Sequence, residues 1–195
     1  MALITMPTTP SFSRSTWGLK RAQASAKSPV TGQEQLITYD KACWYATLTL
    51  PPMRREQAGA WTAFFMALKG RENTFLIGDP DAKTPAHGGA SSNGSLSGTI
   101  AVNATSGTAT TSGTMAAGDY IQFGSGSTSK LYMLTADKTT GSSAIAFEPK
   151  VTIAASGTMT IVNPKCVMRM DSPDLSWSAN QVSTYGISFS CSEAL

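Results

Sequence analysis

Apolar and polar residues alternate with a period of two in two stretches near opposite ends of the chain. In residues 43–50, Trp44, Ala46, Leu48 and Leu50 stand opposite Cys43, Tyr45, Thr47 and Thr49; in 182–191, Tyr185, Ile187, Phe189 and Cys191 alternate with Thr184, Gly186, Ser188 and Ser190. Such alternation predicts half-buried strands with one face on a core. A further strand is expected over 165–170. Elsewhere the period changes to three and four, where Ala58, Trp61, Phe65 and Leu68, widened by Phe64, form one apolar stripe. Pro52 in a first turn and Gly70 as a left-handed terminator bound this predicted helix to about 53–69, roughly 25 Å long. Strands on either side make 50–80 a strand-helix-strand unit. The expected core comprises Trp44, Leu48, Trp61, Phe65, Leu68, Ile187 and Phe189.

The middle of the chain is patterned differently. From 91 to 116, 20 of 26 residues are Gly, Ser, Thr or Ala, a composition shared by flexible linkers and by short strands with small side chains. The triplet Ser-Gly-Thr recurs at 97–99, 106–108, 112–114 and 156–158, each time before alternating or apolar residues, which favours turns punctuating strands. AAGDYIQFG, KLYMLTAD and AIAFEPKV follow as strand-length segments. The expected architecture is therefore mainly β with one principal α-helix: a domain from 1–92 and 163–195, with a small all-β barrel or sandwich inserted at 93–162.

Composition narrows the reading further. Charged residues are 14% of the chain, against about a quarter in ordinary soluble domains, so much of the surface is expected to be covered by partners. The net charge of +3 comes from scattered basic residues and gives little support to a dedicated nucleic-acid binder. The opening residues lack a basic region followed by an apolar core, and no apolar run approaches the ~20 residues of a membrane helix. A protein neither exported by that route nor inserted in a membrane is expected. Cys43, Cys166 and Cys191 are odd in number, widely spaced and set in apolar sequence, as buried reduced thiols would be in a cytoplasm.

Candidate chemistry is sparse. The single histidine, His87, lies in a Gly/Pro loop without a nucleophile motif nearby, and Asp79, Asp81, Asp119 and Asp171 are scattered. GSGSTS at 124–129 lacks the spacing of glycine to Lys-Ser/Thr and the following helix of a phosphate cradle, so a strand-connecting loop is expected. No catalytic, cofactor-binding or metal residue is assigned. Arg54 and Arg55 crowd a helix start, where each opposes the macrodipole by about 0.3–1 kcal/mol; with Asp79 they are candidates for a subunit interface.

Several anchors occur together: TWGLKRAQASAKSPVTGQEQ, then Trp44, LPPM, Ala58 and Trp61, FLIGDP, and AGDYIQFG. In this combination the chain resembles the tail-tip proteins of tailed bacteriophages, most closely the distal tail proteins of long-tailed phages. The resemblance is strongest over 15–80. Where related proteins often carry a glycine before FLIGDP, this chain has Asn73, which tolerates left-handed angles. The resemblance implies a tail-tube-like β domain, a homohexameric ring between tail tube and central hub, a lumen through which genomic DNA passes, and residence in the virion after assembly in the host cytoplasm. The alternatives are a carbohydrate- or receptor-binding module carried by the insert, and a cell-wall hydrolase, for which the sequence offers no paired acids or metal set.

Overall fold

The computed structural model describes residues 1–195 except 87, 88, 175, 180–183 and 195, and only the backbone of Asp40. Among the described residues the chain is mainly β with a single α-helix. In order, β1 (Leu3–Ile4), β2 (Arg14–Lys27), β3 (Glu34–Thr49) and β4 (Met53–Arg54) lead into α1 (Arg55–Leu68) and β5 (Thr74–Ile77). Next come β6 (Gly94–Leu96), β7 (Ser106–Thr111), β8 (Tyr120–Phe123), β9 (Lys130–Leu134), β10 (Gly141–Glu148) and β11 (Thr158–Thr160). The chain finishes with β12 (Cys166–Met170), β13 (Ser178–Ala179), β14 (Thr184–Gly186) and β15 (Ser188–Glu193).

Both chain ends contribute to a six-stranded sheet ordered β1-β5-β12-β15-β3-β2. The two alternating stretches meet in it, with Leu48 opposite Phe189 and Ala46 opposite Cys191. Their apolar side chains therefore share a face, and α1 lies over it: Phe65 meets Phe189 edge to face at 5.0 Å, and Phe64 meets Phe75 at 5.4 Å. Trp44, Leu48, Trp61, Phe65, Leu68, Ile187 and Phe189 all lie buried in this one cluster. Val182, at the start of the second alternating stretch, is outside the described residues.

The helix differs from its predicted bounds. Pro52 precedes it, and Met53–Arg54 are extended, pairing with Thr184 and Tyr185. Burial of the Met53 side chain in the core holds those residues in a strand, so the first turn starts at Arg55. At the other end Lys69 already takes a left-handed conformation (φ 49°), followed by Gly70 at φ 65°. Asn73 is not a left-handed residue. Its carboxamide instead accepts from the Ala2 N–H (2.8 Å) and donates to the Ala67 carbonyl (3.0 Å), tying the first strand to the last helical turn.

Strands β6 to β11 form a closed barrel ordered β10-β7-β6-β11-β8-β9. Its interior is a second cluster that includes Ile121, Phe123, Tyr132, Ile145, Phe147 and Met159. The small residues supply turns at Gly98 and Gly157, both at positive φ, but Gly107 lies within β7, where the Ile100 side chain would stand 2.7 Å from an added Cβ. Lys138 closes one end of the barrel. Its buried side chain donates to the carbonyls of Thr139 and Gly141 and to the Ser143 hydroxyl.

The barrel and sheet are joined by more than the connecting chain. Leu131, on a barrel strand, belongs to the sheet's core cluster, with Tyr120 and Met133 packed against it. The Trp44 indole donates to the Leu131 carbonyl at 2.8 Å, and its ring meets Tyr120 at 5.5 Å. A largely buried ion pair, Lys130 to Glu193 at 3.4 Å, spans the same junction.

Candidate functional site

One feature left open by the sheet order is the ribbon formed by β2 and β3. β15 accompanies β3 only over residues 45–49, and β2 ends the sheet order. Beyond that point the two strands pair only with each other, from Gln23 opposite Thr38 to Lys27 opposite Glu34. The register shifts between Arg21 and Gln23, a bulge of the kind that bends and twists a ribbon. Val30 at the tip is 90% exposed, and Leu36, Ile37 and Tyr39 are about half exposed or more. A two-stranded hairpin in water is marginal by itself, and this one presents the N–H and C=O groups of two open edges.

The predicted interface residues do not gather at one place. Arg54 is the extended residue capping α1 and Arg55 its first residue; both are exposed, and Glu56 is the acidic group of the first turn. Arg55 lines a shallow groove of about 550 Å³ with Ala63, Met66, Trp177 and Tyr185. Asp79 lies after β5, where its carboxylate accepts from the Asp81 N–H. It borders a separate cleft of about 150 Å³ with Phe12, Trp61, Lys83 and Lys165. Among the described residues none of these three charges is ion-paired.

Two of the thiols and two of the phenols are kept protonated by burial. Burial pushes the Cys191 thiol up to about 12, with Asp171 adding to the effect, and burial lifts Cys166 well above the ordinary range. A thiol kept protonated is a poor nucleophile. Burial likewise raises Tyr120 and Tyr132 to about 12, helped by Asp79 and Glu193 respectively. No three His, Cys, Asp or Glu side chains converge among the described residues; His87 lies outside them. The cysteines are all free, but Cys43 is only half-buried, because it belongs to the polar set of its alternating strand.

The barrel's aromatic residues point to its own packing. Phe123, Tyr132 and Phe147 form a mutually contacting set inside it, and Tyr120 packs toward Trp44. The exposed aromatic residues among those described, Tyr39, Tyr45 and Trp177, lie outside the barrel. GSGSTS forms the β8 to β9 connection with a single 3-10 turn. Among the described residues no helix is long and apolar enough to cross a membrane. No protein-family model and no curated protein matches this chain.

Proposed function

We propose that this protein is a structural subunit of a bacteriophage tail tip, a distal tail protein that closes into a ring joining tail tube to hub. The observation that carries this reading is the bare β2–β3 ribbon. Its two edges are different surfaces, so pairing one edge of one copy with the other edge of the next is a head-to-tail contact, and such contacts generate rings when the rotation closes. Low charge agrees with a surface largely covered by neighbours, and the resemblance over 15–80 includes the ribbon. Six copies, contact with tube and hub proteins, passage of DNA through the lumen and residence in the virion are what that resemblance implies for the assembly.

Lysine on an exposed edge blocks strand addition, so Leu36→Lys with Ile37→Lys tests the reading. The wild-type chain is expected to form a discrete ring by light scattering and electron microscopy, whereas the double variant stays monomeric with unchanged thermal unfolding. A wild-type chain that is monomeric in purified tails, or particles that build normal, infectious tails without it, would exclude the role.

A further inference from the structure

The cleft that Asp79 borders lies where the chain crosses between sheet and barrel. Its walls come from the outward crossing after β5, the return crossing before β12, and a strap, residues 6–12, that precedes β2. The two crossings lie side by side: the Asn163 N–H donates to the Lys83 carbonyl at 2.6 Å, and a Cβ on Gly78 would collide with the Pro164 carbonyl. The strap is fixed against α1, where the Trp61 indole donates to the Thr9 carbonyl at 3.2 Å and Phe12 meets Trp61 edge to face at 5.6 Å. All three walls are therefore placed by contacts within one copy.

The lining divides by chemistry. Phe12, Trp61, Leu76 and Ile77 give it apolar walls, while Lys83, Lys165 and Asp79 give it charge. Among the described residues neither lysine is ion-paired. The Lys165 backbone is held in place by its N–H, which donates to the Gln122 carboxamide oxygen at 2.8 Å. One Asp79 oxygen is already engaged by the Asp81 N–H at 3.1 Å. Two cations against one carboxylate leave net positive charge beside an apolar hollow.

We infer that this cleft binds a small aromatic carboxylate, with its ring among the apolar walls and its carboxylate on Lys83 and Lys165. The cleft holds about 150 Å³, and an engineered apolar cavity of about that size takes up benzene. A single ring fits, whereas a long acyl chain does not. Phe12 and Trp61 offer rings against which an aromatic guest gains edge or offset contacts, and lysine ammonium groups meet a carboxylate as point charges. An inorganic anion would leave the apolar walls bare, and an amine would face two like charges. The inference goes beyond ring assembly and needs no neighbouring copy.

The test is calorimetric titration of the purified full chain with phenylacetate, with phenylacetamide, acetate and benzylamine as comparisons and particle size measured on the same samples. Phenylacetate should bind one site per chain with a dissociation constant of about 1 mM or below, ordinary for so small a ligand. Phenylacetamide, which lacks the charge, and acetate, which lacks the ring, should each bind at least about ten-fold more weakly. Benzylamine should bind more weakly still. Lys83→Gln with Lys165→Gln should weaken phenylacetate by about ten-fold or more. Asp79→Asn, which keeps an acceptor for the Asp81 N–H, should instead tighten it by about two- to five-fold. Saturating phenylacetate should slow acetylation of Lys83 and Lys165 and leave that of Lys20 unchanged. No binding at about ten times the expected constant, equal binding of the amide, or an unaltered affinity in the lysine variant overturns the inference. The ligand comparisons on the parent chain decide it even where a variant fails to fold. Assembled rings that ignore phenylacetate overturn the inference and leave the ring standing; monomers that bind it do the reverse.

Discussion

The barrel and the six-stranded sheet treat their edges in opposite ways. The barrel pairs every strand with two neighbours and fills its interior from those strands and from the loops between them, which supply Ile100, Met115, Val151 and Ala155. The sheet ends at β2, a strand of 14 residues without proline, and sends half of that strand out beyond any covering layer. One unit is complete within the chain; the other has backbone groups and apolar side chains still to be satisfied. Closure removes the hazard of strand addition, whereas an open edge of this length persists in a soluble protein when a partner occupies it. Under the proposed ring assembly, the contrast points to the open edge of the sheet as the contact surface, with the barrel packed beside it.

The largest effects should come from the two cores. Trp61 is 1% exposed and touches Phe12, Phe64, Phe65 and Phe189. Trp61→Ala should cost ~3–5 kcal/mol, and Phe147→Ala in the barrel about the same. Denaturant unfolding followed by tryptophan fluorescence and by circular dichroism shows whether the units are coupled. With Leu131 and Tyr120 packed into the sheet's cluster, both substitutions are expected to lower one shared transition. A barrel transition that moves alone under Phe147→Ala would make the units independent.

Excising the barrel sharpens the same comparison at a smaller scale. The closed 93–162 segment should fold alone. The remainder, joined by a short linker, should fold but lose ~2–5 kcal/mol, the cost of a buried leucine, because removing Leu131 leaves the Trp44 pocket unfilled. An unfolded remainder would mean that the sheet depends on the barrel for its core. Limited proteolysis is expected to cut first at the Gly- and Ser-rich junctions near 88–95 and 155–163.

How much of this was legible in the sequence depended on whether the cause was local. Alternation over 43–50 and 184–191 identifies strands because one face of each meets a core, and the helix stripe reveals itself for the same reason. The recurrent Ser-Gly-Thr triplets indicate a β module, although 106–108 is strand and not turn. The start of α1 was misread because Pro52 carries a first-turn signal, while Met53 is held outside the helix by burial against distant strands. The interface candidates Arg54, Arg55 and Asp79 rested on charge alone, and the fold places Arg55 and Asp79 at different clefts. The open ribbon was invisible for a related reason: its residues pattern as ordinary strands, and only the sheet order shows that no further strand among the described residues pairs with its outer edges. Buried Lys138 and the two-sided bonding of Asn73 depend on carbonyls brought together by the chain's path.

Asn73→Ala should be a moderate perturbation, about 1–2 kcal/mol, since it removes two part-buried hydrogen bonds, from the Ala2 N–H and to the Ala67 carbonyl. Asn73→Gly, offered to a position that has no need of left-handed freedom, should cost at least as much. Equal stability of the glycine variant and the parent in urea unfolding would show that the carboxamide contributes nothing.

The smallest effect concerns the ion pair between the two units. Burial raises the Glu193 carboxyl above its ordinary value, and Lys130 and the Trp44 N–H draw it back only in part. A carboxyl whose folded value is raised holds its proton to higher pH in the folded chain than in the unfolded one. Its contribution to stability is then present below the unfolded value, about 4.3, and is lost as pH rises through the folded value. This sign is opposite to that of an exposed salt bridge. Stability plotted against pH should fall across that window in the parent, and Glu193→Gln should lack that component of the slope. Glutamine keeps an acceptor for the Trp44 N–H, and Lys130 retains the Ala194 carbonyl, so the junction stays closed and the two curves remain comparable. Parallel curves would show that Lys130 balances burial, and a parent that gains stability over the window relative to Glu193→Gln would show that Lys130 outweighs burial and that the junction is held by charge.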